Sequence, residues 1–173
     1  MEANMDYRRI WQPGGCYFFT VVTDQRQTIF ERKDHVQYLR EAFQHIRKKH
    51  PFKVDAIVVL PDHLHCIWKL PSNDADYATR WRLIKHFVTC KINRNRVNKI
   101  KVWQKRYWEH CLRNERDWQN HMDYIHYNPI KHGYVTSAID WPHSSFSKAV
   151  EKGLYQKNWG AKISGEIIEM ELE

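Results

Sequence analysis

Two hydrophobic periods alternate along this 173-residue chain. Residues 16–23 (CYFFTVVT) are dense in aromatic and β-branched side chains and follow the turn Pro13-Gly14-Gly15, which predicts a strand. Residues 33–50 change to helical spacing: Val36, Leu39, Phe43 and Ile46 share a stripe, Asp34 can cap, and Pro51 closes the segment. A hairpin is expected next. Its arms are the apolar run 54–60 and the return 63–70, joined by Pro61-Asp62. After a loop at 71–75, the stripe Trp81, Ile84, Val88 and Ile92 predicts a helix from Tyr77 to about Val97. Residues 101–112 read as a further strand and 116–128 as a third helix stopped by Pro129. Beyond Ile130 the chain reads as an irregular wrap with short elements.

The order β-α-β-β-α-β predicts a ferredoxin-like α+β sandwich, an antiparallel sheet covered by helices on one face, with an additional helix following. With no internal repeat or long linker, residues 1–173 read as one domain, its core about 14–130 and its wrap about 131–173.

Composition narrows the function classes. Hydrophobic residues at 42% and charged residues at 28% exclude a disordered polyelectrolyte and a membrane protein. No run approaches the roughly 18 apolar residues of a membrane span, and the polar N-terminus is no secretory signal. Cys16, Cys66, Cys90 and Cys111 are widely spaced without a CxxC pair, as expected of four small buried residues in a cytoplasmic protein. The net charge is +8, and it is concentrated: residues 77–118 carry twelve Lys and Arg against three acids, while the remainder is close to neutral. Trp81, Phe87, Trp103, Tyr107 and Trp108 are interleaved with those cations, a pattern that favours a nucleic-acid partner over a solvated helix face. The candidate contacts are Arg80, Arg82, Lys85, Arg94, Arg96, Lys105 and Arg106, together with Arg8 and Arg9 near the start.

Candidate chemistry lies on either side of that block. His63 and His65 fall at i and i+2 of a strand, so both imidazoles leave one face while Leu64 and Cys66 leave the other. Tyr124 and Asn128 are one helical turn apart, although Pro129 disfavours helical geometry at Asn128. A phenol attacking a phosphodiester needs a cation to neutralise developing charge, and two imidazoles with an amide oxygen suit Mg²⁺ or Mn²⁺. Tyr127 is the competing nucleophile. His121, one turn before Tyr124, either orients the phenol or is a solvated histidine.

These residues carry a resemblance. Val58-Val59-Leu60-Pro61-Asp62-His63-Leu64-His65 resembles the His-hydrophobic-His (HUH) motif of the single-tyrosine transposases, and Tyr124-Ile125-His126-Tyr127-Asn128-Pro129 resembles their nucleophile helix. Residues 103–110 (WQKRYWEH), 128–133 (NPIKHG) and 140–145 (DWPHSS) are similar to the REP-associated tyrosine transposase (RAYT) branch, and the likeness spans about residues 7–159. The resemblance implies Tyr124 as nucleophile and His63, His65 and Asn128 as ligands of Mg²⁺ or Mn²⁺. It implies cleavage of single-stranded DNA at palindromic, REP-like hairpins through a 5′-phosphotyrosine, followed by strand transfer. It further implies a cytoplasmic, nucleoid-associated protein with no membrane partner, a self-contained monomer being favoured and a homodimer that exchanges tyrosine helices the alternative. The rival expectation is a domesticated binder of hairpin repeats that does not cleave. The acidic residues 166–173 are either a cover for the basic groove or a frayed end.

Overall fold

The computed structural model describes residues 10–160. Arg8, Arg9 and the acidic stretch 166–173 lie outside them.

Strands β1 (Cys16–Val22), β2 (Lys53–Val59), β3 (His63–Lys69) and β4 (Trp108–Cys111) form one antiparallel sheet in the order β2-β3-β1-β4. Helices α1 (Lys33–Lys49) and α2 (Tyr77–Asn93) supply the two connections of the predicted β-α-β-β-α-β order. The α+β class and the antiparallel sheet are as expected.

Alternation along the central strands separates two cores. Tyr17, Phe19 and Val21 of β1 and Leu64, Cys66 and Trp68 of β3 pack with α1 and α2. Trp81 of α2 stacks on Trp68 with ring centroids 4.3 Å apart. Phe18 and Ile67 leave the other face, with Ala56 and Val58 of β2. That face is covered by α3 (Glu115–Lys131) through Met122, Tyr124 and Ile125, and by the short α4 (Phe146–Glu151). The additional helix therefore closes the second face of the sheet, giving three layers.

Three boundaries differ from expectation. α2 stops at Asn93 because that side chain turns back onto Ile100, its amide donating to the carbonyl and its oxygen accepting from the backbone N–H, both at 2.9 Å. The predicted strand over 101–112 shrinks to β4: Trp103 is drawn to α2, its indole N–H donating to the Lys85 carbonyl, and only an isolated bridge links it to Thr23. α3 runs through Pro129 to Lys131. Asn114 caps its start by accepting from the Asp117 N–H at 2.9 Å. Proline removes one backbone donor, and so near the helix end that loss is about 1 kcal/mol. Gly133, at φ 71°, then ends the helix: Tyr134 N–H bonds the Pro129 carbonyl and Gly133 N–H the Ile130 carbonyl.

The segment after α3 seals the β2 edge. His143 and Ser145 pair with the backbone of Val59 and Ile57, and the Trp141 indole donates to the Val59 carbonyl.

Candidate active site

β3 begins at the tight turn Leu60-Pro61-Asp62, which Thr23 locks by donating both its N–H and its hydroxyl to the Asp62 carbonyl. His63 therefore leaves the turn already aimed, with Nδ1 2.6 Å from Asp62 Oδ1. Arg26 holds the other Asp62 oxygen at 3.0 Å. Burial pushes the Asp62 carboxyl up, but His63 and Arg26 outweigh it and hold it below the ordinary carboxylate value. His65 lies directly across from Thr20 in the β1–β3 register, and its Nδ1 is 2.9 Å from the Thr20 hydroxyl. Both imidazoles are buried, 4.9 Å apart between ring centroids. With each Nδ1 engaged by an oxygen, Nε2 is the nitrogen each ring would offer to a cation.

α3 lies over them. The Tyr124 ring sits 5.2 Å from His65 and the His132 ring 5.4 Å from His63. The stretch between Tyr124 and His132 thus crosses above the histidine pair, and Asn128 is its midpoint. Because α3 continues through Pro129, Asn128 keeps the helical i+4 relation to Tyr124 that the proline had put in doubt. Asn128 is fully buried, and neither its amide nitrogen nor its oxygen has a hydrogen-bond partner among the described residues. Lys131, two turns beyond Tyr124, places Nζ 3.5 Å from the phenol oxygen and 5.0 Å from the ring centroid. Tyr127 points elsewhere, its ring lying toward Gly160. His121 packs on Phe18 and His110, and its Nδ1 donates to the Asp117 carbonyl at 2.8 Å.

A buried unpaired carboxamide costs about 1–3 kcal/mol. Its oxygen, with two imidazole nitrogens, forms a donor set that fits a divalent cation. A second group able to hold a metal, His110, Asp117 and His121, lies on the same sheet face.

The expected DNA contacts separate. Arg82, Arg94, Arg96, Lys105 and Arg106 are exposed. Arg80 is not: at 1% exposure it holds Asp74 at 2.7 Å and donates to the carbonyls of Pro51 and Asp76, so it is a structural anchor rather than a surface cation. Lys85 is half-buried, donates to the Gln104 carbonyl at 2.7 Å, and is lowered by burial to about 8. The cations of α2 also lie on the layer opposite Tyr124, so the basic block does not form a single path into the site. Of the cysteines, Cys66 and Cys111 are buried as expected, whereas Cys90 is exposed and Cys16 half-buried.

The sequence reading missed Asp62, Thr20, Lys131 and His132. Asp62 was readable only as a turn residue, and Thr20 becomes a partner only once strand register is known. Lys131 and His132 fall beyond Pro129, where the helix had been expected to end.

A four-stranded antiparallel sheet thus carries two strand histidines beneath a tyrosine-bearing helix. Residues 14–128 match the family described as "Transposase IS200 like", and the chain belongs to that family, in its REP-associated tyrosine transposase branch. It is 41% identical over 161 residues to the REP-associated tyrosine transposase of Escherichia coli K12, covering 92% of this chain and 93% of that one. A relative from Haemophilus influenzae is 39% identical over 175 residues, covering 94% and 99%. A solved structure of a REP-associated tyrosine transposase bound to a REP hairpin superposes with a TM-score of 0.82 at 41% identity, covering 92% of this chain and 93% of that chain. Among the described residues, no helix is long and apolar enough to cross a membrane.

Proposed function

We propose that this transposase nicks and rejoins single-stranded DNA at palindromic, REP-like hairpins, with Tyr124 as nucleophile and His63, His65 and Asn128 holding Mg²⁺ or Mn²⁺. The observation that carries this reading is the buried, unpartnered carboxamide of Asn128 one turn from Tyr124, whose ring lies against His65. Similarity to the hairpin-bound relative supports the DNA class. A monomer is the economical assembly, since the tyrosine and both histidines belong to one chain.

The chemistry is a transesterification. The Tyr124 oxygen forms a bond to phosphorus, the bond from phosphorus to the 3′-oxygen breaks, and the phenol proton is balanced by protonation of that 3′-oxygen. The 5′-phosphate stays on Tyr124, so a second 3′-hydroxyl can reverse the step without ATP. When bound, the cation polarises the phosphoryl oxygens. Asp62 and Thr20 fix the two imidazoles, Asn128 supplies an amide oxygen, and Lys131 places positive charge beside the attacking oxygen, where charge develops.

Incubating the protein with a labelled hairpin oligonucleotide and Mn²⁺ tests the reading. A covalent adduct on a denaturing gel, lost in His63→Ala and in Asn128→Ala, supports it. Gel retention under native conditions with no adduct at any metal concentration would instead identify a non-cleaving binder.

A further inference from the structure

His110 comes from β4, and Asp117 and His121 stand at i and i+4 on α3. One ring nitrogen from each histidine and one Asp117 oxygen lie within 4.8 Å of one another. His110 Nε2 is 2.9 Å from Asp117 Oδ2, His121 Nδ1 is 3.2 Å from Asp117 Oδ1, and the two rings stack at 5.0 Å. The Phe18 ring separates this cluster from the nucleophile site, 4.8 Å from His121 on one side and 5.5 Å from His65 on the other.

We propose that His110, Asp117 and His121 form a second divalent-cation site, of the zinc class, that clasps β4 to the first turns of α3. Two imidazoles and one carboxylate are the donor set of three-ligand zinc sites that keep a fourth position open. An i,i+4 pair on a helix chelates from one face, and the third ligand arrives from a different element, so binding would bridge the two. The side chains are 22%, 18% and 6% exposed for His110, Asp117 and His121, which leaves an approach from solvent.

The nearest competing cation, Arg113 at 3.9 Å from Asp117, is 79% exposed and can swing away. Ligation would replace the hydrogen bonds within the cluster and draw the donors to roughly 3.3 Å spacing around one ion. The bridge would stiffen α3 one turn before Tyr124.

Zinc titration of the full chain by calorimetry tests the site separately from the nucleophile centre. The expected stoichiometry is two for wild type, one for His63→Ala/His65→Ala and one for Asp117→Asn. Adding Asp117→Asn or His110→Gln to the His63→Ala/His65→Ala protein should abolish binding, along with the zinc-dependent rise in Tm. Co²⁺ in the His63→Ala/His65→Ala protein should give the visible absorption of four-coordinate ligation, a readout that does not depend on whether the combined variants fold. Absence of zinc binding in His63→Ala/His65→Ala overturns the proposal. So does zinc binding to the His63→Ala/His65→Ala protein that survives the further addition of Asp117→Asn or of His110→Gln, or Co²⁺ without that absorption.

Discussion

Asn128 concentrates the argument at the scale of single residues. A buried carboxamide without partners destabilises the chain unless it serves a ligand, so Asn128→Leu should raise Tm in metal-free protein while abolishing adduct formation. Thermal melts in chelator beside the gel assay check both effects. Lys131 acts differently, because it approaches the phenol oxygen rather than the histidines. Lys131→Met should slow adduct formation about 10- to 100-fold with hairpin affinity unchanged, as measured by single-turnover kinetics and gel retention. Arg80 tests the opposite assignment. Arg80→Met removes the buried guanidinium that holds Asp74 and the carbonyls of Pro51 and Asp76 and should cost about 2–3 kcal/mol in urea unfolding, with little effect on DNA affinity. The Arg80 hydrogen bond holds the Asp74 carboxyl below its ordinary value of 3.8. Its contribution is therefore complete above that value and is lost as pH falls through the depressed native one. Wild type should lose more stability than Arg80→Met on acidification across that window.

At the scale of elements, α3 shows what was legible and what was not. A third helix was readable over 116–128, and the spacing of Tyr124 and Asn128 placed both on one face. Pro129 concealed its end: a proline stops a helix in the interior, but here it stands in the last turn, where a single missing donor is tolerated. The stop is Gly133 instead. Gly133→Ala meets nothing within 4 Å yet must hold a φ of 71°, so backbone strain alone should cost about 1–2 kcal/mol. Equilibrium unfolding measures that loss, and Pro129→Ala should change stability by less. The hairpin bearing His63 and His65 was readable because strand alternation has a fixed period. β4 was overextended, since the aromatic residues Trp103 and Tyr107 suit a strand but pack onto the α2 side of the sheet.

At the scale of the whole molecule, the layers were the illegible part. Periodicity shows that a helix has an apolar face, not which side of a sheet that face will cover. The basic block was read as one feature because it is contiguous in sequence. The fold places α2 on the layer away from Tyr124, whereas the loop leading into β4 rounds the sheet edge. Lys105 and Arg106 lie in that loop, just before Trp108, whose ring meets Phe18 on the α3 face. Lys105→Gln/Arg106→Gln should lower the slope of log affinity against log salt by about 1.5, more than Arg94→Gln/Arg96→Gln on the far layer. Fluorescence anisotropy over a salt series decides between them.

The central claim is that Tyr124 takes the 5′-phosphate of a cleaved hairpin strand. Peptide mapping of the covalent adduct by mass spectrometry tests it most directly, using oligonucleotides labelled on either side of the nick. The account predicts a nucleotide mass on the peptide containing Tyr124, retention of the label 3′ of the nick, release of a fragment ending in a 3′-hydroxyl, and no adduct in Tyr124→Phe. An adduct mapped to Tyr127, or one that persists in Tyr124→Phe, would contradict it.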